Sequence, residues 1–457
     1  MNTQEHKRSS FSGKLGYVLS AAGASVGLGN IWRFPYLAAK YGGGIFLLIY
    51  ILLALTFGYT MIVAESAIGR MTRKSPVGAF KSFGKAKWLS FGGWINAIIP
   101  ILIVPYYSVI GGWVIKYLVE YIKGNGQSLA TDGYFSEFIS NGVSTELCFL
   151  VFCLFTLAII YAGVRNGIER VSKMMMPVLI LLSVIIAIYS VTRPGAIEGV
   201  KYFLIPNVKN FSWMTVVAAM GQMFYSLSIA MGILITFGSY MKKDVSLEDS
   251  TRNVEVFDTA IAMMAGLMII PAVFAFSGGD PDTLQAGPSL MFITIPKVFP
   301  NMGFGTEVGI LFFLLVLFAA ITSSIALTES AVSTFEDELR WNRKKSTLVV
   351  GIIMVALGSL SSLGYGPLAV VKIIGMQFLD FFDFMTNSVM MPIAAVMTCL
   401  LVSKVVGIQR IEEEVMQGES SFRRRKIFIV MIKYLCPIFA VIILFSSVAN
   451  AFGWISM

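Results

Sequence analysis

Eleven long apolar runs dominate this chain, and no other property restricts its fold as strongly. They cover approximately residues 14–38, 43–70, 88–122, 144–163, 171–192, 211–242, 254–278, 304–338, 346–363, 373–405 and 427–453. A helix needs about 20 apolar residues to cross about 30 Å of hydrocarbon, and within lipid each backbone polar group must be satisfied internally. The runs therefore predict an all-α polytopic membrane protein with eleven transmembrane helices. Several runs exceed 25 residues, which implies tilt, interruption or extension past the lipid. A soluble alternative fails on composition: 13% of the 457 residues are charged, whereas a water-facing surface takes about a quarter. The polar start Met1–Ser10 and the length of the first run lead us to expect no cleavable leader.

The net charge of +9 could suggest a nucleic-acid partner, but its placement gives a simpler account. With the N-terminus on the cytoplasmic side, 25 of the 35 basic residues fall in cytoplasmic segments, among them Lys7, Arg8, Arg70, Arg343 and Arg423–Lys426. That is the positive-inside pattern, and an odd number of spans then puts Met457 outside. The four cysteines, Cys148, Cys153, Cys399 and Cys436, sit inside apolar runs without metal-ligand spacing and read as small buried hydrophobes. His6 is the only histidine and lies in the polar tail, which removes most histidine-based acid–base and metal chemistry. A membrane-embedded enzyme would need a nucleophile–base pair or a metal cluster, and neither is visible. A channel-like or non-transporting binding protein is not separated from a transporter by these features.

Two runs are not smooth. The first contains Gly23-Ala-Ser-Val-Gly27-Leu-Gly29-Asn30 and then Pro35, and the sixth contains Ser226-Leu-Ser228-Ile-Ala-Met-Gly232. Glycines weaken a helix and proline removes a donor. Runs one and six open two sets of five, and interruptions at matching places in two halves point to a transporter site at a repeat interface. Glycines that serve close helix packing would account for the same residues. Charges also stand in the wrong solvent: Glu65, Arg33, Asp258, Asp380 and Asp383 fall within or at the ends of apolar runs, where each should face a cavity or a partner. Asp380 also fits an end-of-helix charge reaching the interface. Run eight adds the hydroxyls of Thr322, Ser323 and Ser324, hard oxygens suited to Na⁺, or else groups bonded back to their own helix.

Gly27-Leu-Gly29-Asn30-Ile-Trp-Arg33-Phe34-Pro35, followed by Tyr41-Gly42-Gly43-Gly44, resembles the signature of the neurotransmitter:sodium symporter family. Gln222-Met-Phe-Tyr225-Ser226-Leu-Ser228, Thr322-Ser323-Ser324 and Phe335-Glu336-Asp337-Glu338 match in the same order, so the resemblance spans essentially the whole chain. The count of eleven spans, rather than the family's usual twelve, resembles certain bacterial amino acid transporters of that family. The resemblance implies a LeuT-like five-plus-five inverted repeat with discontinuous helices one and six. Residues 1–13 would form a cytoplasmic tail, 14–192 the first repeat, 193–405 the inverted second repeat, and 406–457 a cytoplasmic loop with the eleventh helix. The location implied is the bacterial inner membrane, and the activity is symport of a hydrophobic amino acid with two Na⁺ ions and no organic cofactor.

By the same resemblance, the first Na⁺ meets the Ser25 carbonyl and the side chains of Asn30, Ser226 and Asp258. The second meets the carbonyls of Gly23, Val26 and Ala319 and the hydroxyls of Thr322 and Ser323. The substrate carboxylate would take N–H bonds between Ser25 and Gly29, including Gly27 and Leu28, and the Tyr107 hydroxyl. Its ammonium would meet carbonyls at Ser25, Tyr225 and Ser226, plus Ser228. Ala24, Ile103, Ile229, Met231, Ser323 and Leu327 would line the side-chain pocket. Arg33 and Asp383 resemble an outer gate pair, Arg8 and Asp337 an inner one, and Glu65 the carboxylate that braces the breaks. Three positions depart from the family pattern: Asp258 where Asn is common, Tyr225 where Phe is common, and Ala230 where Gly is frequent. A fixed carboxylate at Asp258 would supply the negative charge that chloride brings in some relatives, so transport is expected to be chloride-independent.

Overall fold

The computed structural model describes residues 8–278 and 288–455. His6, Lys7 and Met457 lie outside the described residues. Among those described there is no β-strand, only two isolated bridges, Gly43 with Pro206 and Ile373 with Met376. Among the described residues, nine helices are long and apolar enough to cross a membrane: α3 (Gly44–Thr72), α4 (Lys87–Ile122), α5 (Gly142–Tyr161), α6 (Val164–Val191), α9 (Leu247–Ser277), α10 (Gly305–Leu339), α11 (Arg343–Leu363), α12 (Phe378–Val406) and α13 (Arg425–Ala451). They match nine of the eleven runs. The two remaining runs are the divided ones, and no single piece of either is long enough to span alone. The first gives α1 (Lys14–Ser25) and α2 (Phe34–Lys40), joined through a π-turn Gly29–Arg33. The sixth gives α7 (Trp213–Ser226) and α8 (Ile233–Tyr240).

The largest departures from the expected ends are at α9, which starts at Leu247 rather than near 254, and at α6, which starts at Val164 because a π-turn Val164–Glu169 runs directly into the helix. Pro100 and Pro105 sit inside α4 without ending it. In a packed bundle, neighbouring helices can accommodate the backbone group that a proline frees.

The divided helices lie inside the bundle. α1 packs against α9, α10 and α6, and α8 packs against the Tyr59–Thr72 part of α3. The α3–α8 crossing is backbone on backbone. A Cβ on Gly69 would come 2.0 Å from the Ile235 carbonyl oxygen, and one on Gly238 would come 2.5 Å from that of Ser66. Without a hydrophobic drive between helices in lipid, such close approach is what holds them. Cys153, Cys399 and Cys436 are buried and Cys148 is partly so, and all four are free thiols.

Candidate substrate and ion site

α1 stops at Ser25, where the Val26 N–H makes the last helical bond, to Ala22. Beyond it the carbonyls of Gly23, Ala24 and Val26 gather around the Ser323 hydroxyl, at 3.3, 3.2 and 3.4 Å. One hydroxyl proton can serve only one of them, so the others direct lone pairs at a shared space. Thr322 lies against Gly23, its Cβ 3.2 Å from where a glycine Cβ would stand. Its hydroxyl donates back to the Phe318 and Ala319 carbonyls at 3.0 and 3.1 Å. Gly23, Val26, Ala319, Thr322 and Ser323 are thus neighbours, and their oxygens form a hard donor set that fits Na⁺ rather than a transition metal. Ser324 turns away, to within 3.2 Å of the Thr156 hydroxyl.

The second polar cluster is wholly buried. Asp258 Oδ1 accepts from Asn30 Nδ2 and from the Ser226 hydroxyl, both at 2.8 Å, and Oδ2 accepts from the Tyr50 hydroxyl at 2.9 Å. Asn30 Oδ1 accepts the Gly27 N–H at 3.1 Å, which ties the first break to this cluster. Among the described residues Asp258 forms no ion pair, so a buried carboxylate stands among neutral donors, the setting in which a bound cation is expected. Ser25 turns its own hydroxyl back to Ala21 and lines the adjoining cavity. Tyr50 escaped sequence reasoning because it sits in an apolar run where a tyrosine reads as packing; its ring does pack on Phe34, at 4.9 Å. Gln222 stood in a recognised motif without a role; it donates to the Gly29 carbonyl at 3.0 Å and steadies the first break.

Between the two breaks lies a small cavity of about 30 Å³. Thirteen of the expected substrate residues line it: Ala24, Ser25, Gly27, Leu28, Gly29, Ile103, Tyr107, Tyr225, Ser226, Ser228, Met231, Ser323 and Leu327. Asn30 and Ile233 line it as well. Ile229 does not: it is buried outside the cavity lining, between Ser228 and Ala230, whose backbones are left-handed (φ 54° and 58°), while Ser228 and Met231 of the same loop do line it. Tyr107 accepts the Leu28 N–H at 3.3 Å, and Ser228 donates to the Ala24 carbonyl at 3.0 Å. Glu65, fully buried, accepts the Ala230 N–H at 2.8 Å on one oxygen and has no partner among the described residues on the other.

The two ends of this cavity differ. Above it Tyr225 closes the roof, with the Arg33 guanidinium 5.3 Å over its ring. Arg33 and Asp383 share a larger chamber but are not paired; Asp383 instead accepts from Asn387 at 2.5 Å and from the Tyr106 hydroxyl at 3.2 Å. At the other end Arg8 and Asp337 are in contact at 2.6 Å. Arg8 also donates to Ser239, and the Ser75 N–H donates to Asp337 at 2.6 Å. Burial works against the Arg8 charge, but Tyr240, Asp337, Glu329 and Glu336 nearby outweigh it and hold its pKa above the ordinary value. A second pair, Arg343 with Glu329 at 2.5 Å, adjoins this contact through Tyr240, which donates to Glu329 at 2.6 Å.

Two broken helices around a small cavity, with buried polar clusters beside it and an ion pair at one end, fit a secondary transporter. The chain belongs to the sodium:neurotransmitter symporter family, whose sequence profile matches residues 8–130 and 135–453. It is a multi-pass membrane protein that couples transport to sodium, and not an enzyme. An uncharacterised sodium-dependent transporter of Bacillus subtilis is 34% identical over 91% of this chain and 92% of its own length. The human sodium- and chloride-dependent GABA transporter 2 is 26% identical over 90% of this chain and 75% of its own. Among solved structures, the crystal structure of MhsT in complex with L-phenylalanine superposes with a TM-score of 0.86 at 36% identity, covering 96% of this chain and all of that one.

Proposed function

We propose that the protein carries a hydrophobic amino acid together with two Na⁺ ions by alternating access, without a chloride requirement. One observation carries this reading: the cavity has a backbone-built polar half and an apolar half. The N–H groups of the first break, Gly27's now held by Asn30 and Leu28's by the Tyr107 hydroxyl, would turn with that hydroxyl to a carboxylate, and carbonyls at Ser25, Tyr225 and Ser226 with Ser228 suit an ammonium. Ile103, Met231, Ile233 and Leu327 then face an aliphatic or aromatic side chain. The L-phenylalanine bound in the MhsT structure supports the same substrate class.

In this reading the Ser25 carbonyl, Asn30, Ser226 and Asp258 hold the first Na⁺, and the substrate carboxylate completes its shell, so ion and amino acid bind together. Gly23, Val26, Ala319, Thr322 and Ser323 hold the second. Tyr225 caps the substrate, Arg33 and Asp383 close the outside, Arg8 and Asp337 close the inside, and Glu65 braces the sixth-helix break. Residues 14–192 and 193–405 are the two inverted halves, and α1, α2, α3, α7, α8 and α9 rock against the rest. The membrane is the bacterial inner membrane, with a cytoplasmic N-terminus and an external C-terminus, as the distribution of basic residues supports. The test is uptake by proteoliposomes offered each proteinogenic amino acid in radiolabelled form. Accumulation of one or more hydrophobic members is expected under an inward Na⁺ gradient only, and accumulation of none would overturn the reading.

A further inference from the structure

The segment 407–425 joins α12 to α13, and buried polar contacts fasten it to one side of the bundle. Its short helix Ile408–Val415 turns Ile411 and Val415 inward, both fully buried, and packs on the Tyr59–Thr72 part of α3. Glu414 lies beside them, 4% exposed, with Oε1 2.7 Å from Nε of Arg70, a wholly buried arginine near the end of α3. Arg70 also donates to the Glu414 carbonyl and, at 2.7 Å, to that of Val245, between α8 and α9. Lys243 reaches Glu414 at 3.0 Å. Further along, the N–H groups of Arg423 and Arg424 donate to Glu248 of α9 at 3.0 and 3.2 Å. The Arg424 guanidinium pairs with Glu255 at 3.0 Å and lies over the Tyr59 ring. Among the described residues, every ion pair that 407–425 makes outside itself goes to Arg70, Lys243, Asp249 or Glu255.

We propose that residues 407–425 are a strap that binds the ends of α3, α8 and α9 into one rigid unit and travels with it. The chain then flexes at the strap's junctions with α12 and α13 and not at the Arg70–Glu414 contact. This rests on the alternating-access reading above. Opening the contact in every cycle would strand a guanidinium and a carboxylate in a site without water, which is a severe penalty. The junctions are better suited to bending. α12 closes in a π-turn, Leu401–Val406, and Gly407 follows at φ 83° with nothing within 4 Å of a Cβ position. A second π-turn, Met431–Leu435, interrupts α13. The strap also bears on the inner gate, because Ser75, just past Arg70, donates to Asp337. Holding the end of α3 holds Ser75 against that carboxylate.

Ser246, at the start of α9, donates to Glu419 of the strap, which gives a place to lock the two together. The experiment joins S246C to E419C through a short bis-methanethiosulfonate linker, cleaved again by reduction, in a chain whose four native cysteines are replaced by alanine. If strap and bundle move as one body, the linked protein accumulates its amino acid within about twofold of the reduced protein. Loss of uptake on linking and recovery on reduction would overturn the proposal. If the reduced parent takes up no amino acid, the symport reading fails separately, and spin-label distances that need no substrate decide the strap. Between Na⁺ and K⁺ buffers, the distance from Glu413 to Arg252 of α9 should hold while that from Glu413 to Lys345 of α11 shifts. A first distance that shifts as much as the second overturns the strap.

Discussion

In the proposed reading, ion and anion dependence turn on Asp258. Its carboxylate is fully buried and held by Asn30, Ser226 and Tyr50, all neutral donors. In such surroundings a fixed negative charge strengthens a cation site and makes a mobile anion redundant. Asp258→Asn keeps the size and removes the charge. The variant is expected to need about 10- to 100-fold more Na⁺ for half-maximal uptake, equivalent to about 1.4–2.8 kcal/mol, and to respond to chloride. Uptake in chloride and in gluconate reads this directly. Wild-type transport that collapses in gluconate, or a variant indifferent to both changes, would defeat the assignment. Ala230 shows the opposite kind of departure. It holds a left-handed backbone (φ 58°) that costs a non-glycine residue about 1–2 kcal/mol, and its N–H is the one that Glu65 accepts. The strain is stored at the break itself, where the chain must leave the helix.

Helix-level features divide into those written in local sequence and those set by distant partners. Nine spans were legible because apolar length alone marks them, and both breaks were legible because glycine and serine cluster inside apolar runs. The close crossing of α3 and α8 was not, since nothing near Gly69 in sequence announces that the Ile235 carbonyl will lie against it. Substituting Gly69→Ala puts a methyl 2.0 Å from that backbone oxygen, and backbone in a helix cannot give way. We expect a loss of about 1–3 kcal/mol of stability, read as a lower apparent Tm in detergent, while Gly13→Ala, with open space around it, leaves Tm unchanged. Equal Tm values for the two variants would refute the close-packed crossing. The same distinction explains the site. Asn30, Ser226, Thr322 and Ser323 were readable from motif positions. Tyr50 was not, and the placement of Ile229 depended on a loop geometry that residue type does not encode. Arg70 counted among the topology charges and Glu414 drew no reading; they are 344 residues apart, and only the fold shows them buried together.

At the scale of the whole molecule the two proposed gate pairs are in opposite states. Arg8 is locked to Asp337 and Ser239, whereas Arg33 and Asp383 stand apart with other partners. The conformation is therefore shut at the Arg8 end, and the contacts that shut it are absent from a conformation open at that end. A group that binds one state only shifts the equilibrium by its full contribution to that state. A hydrogen bond or pair with a charged partner contributes about 1.5–3 kcal/mol. Arg8→Ala should thus move the population about 10- to 100-fold toward the open inner state. A reporter exists in Ser330, buried on α10 and 3.3 Å from Thr236 of α8, between the Ser323 ion cage and Asp337. In a cysteine-replaced background, Ser330→Cys should react faster with a membrane-impermeant thiol reagent applied from the cytoplasmic side once Arg8 is removed. Na⁺ should slow that reaction by favouring the shut state. The sign is the decisive part: a rate unchanged or lowered by Arg8→Ala would mean that the Arg8–Asp337 contact does not hold the inner side closed. An equal increase with the reagent applied from outside would mean general loosening of the bundle, which a gate contact does not predict.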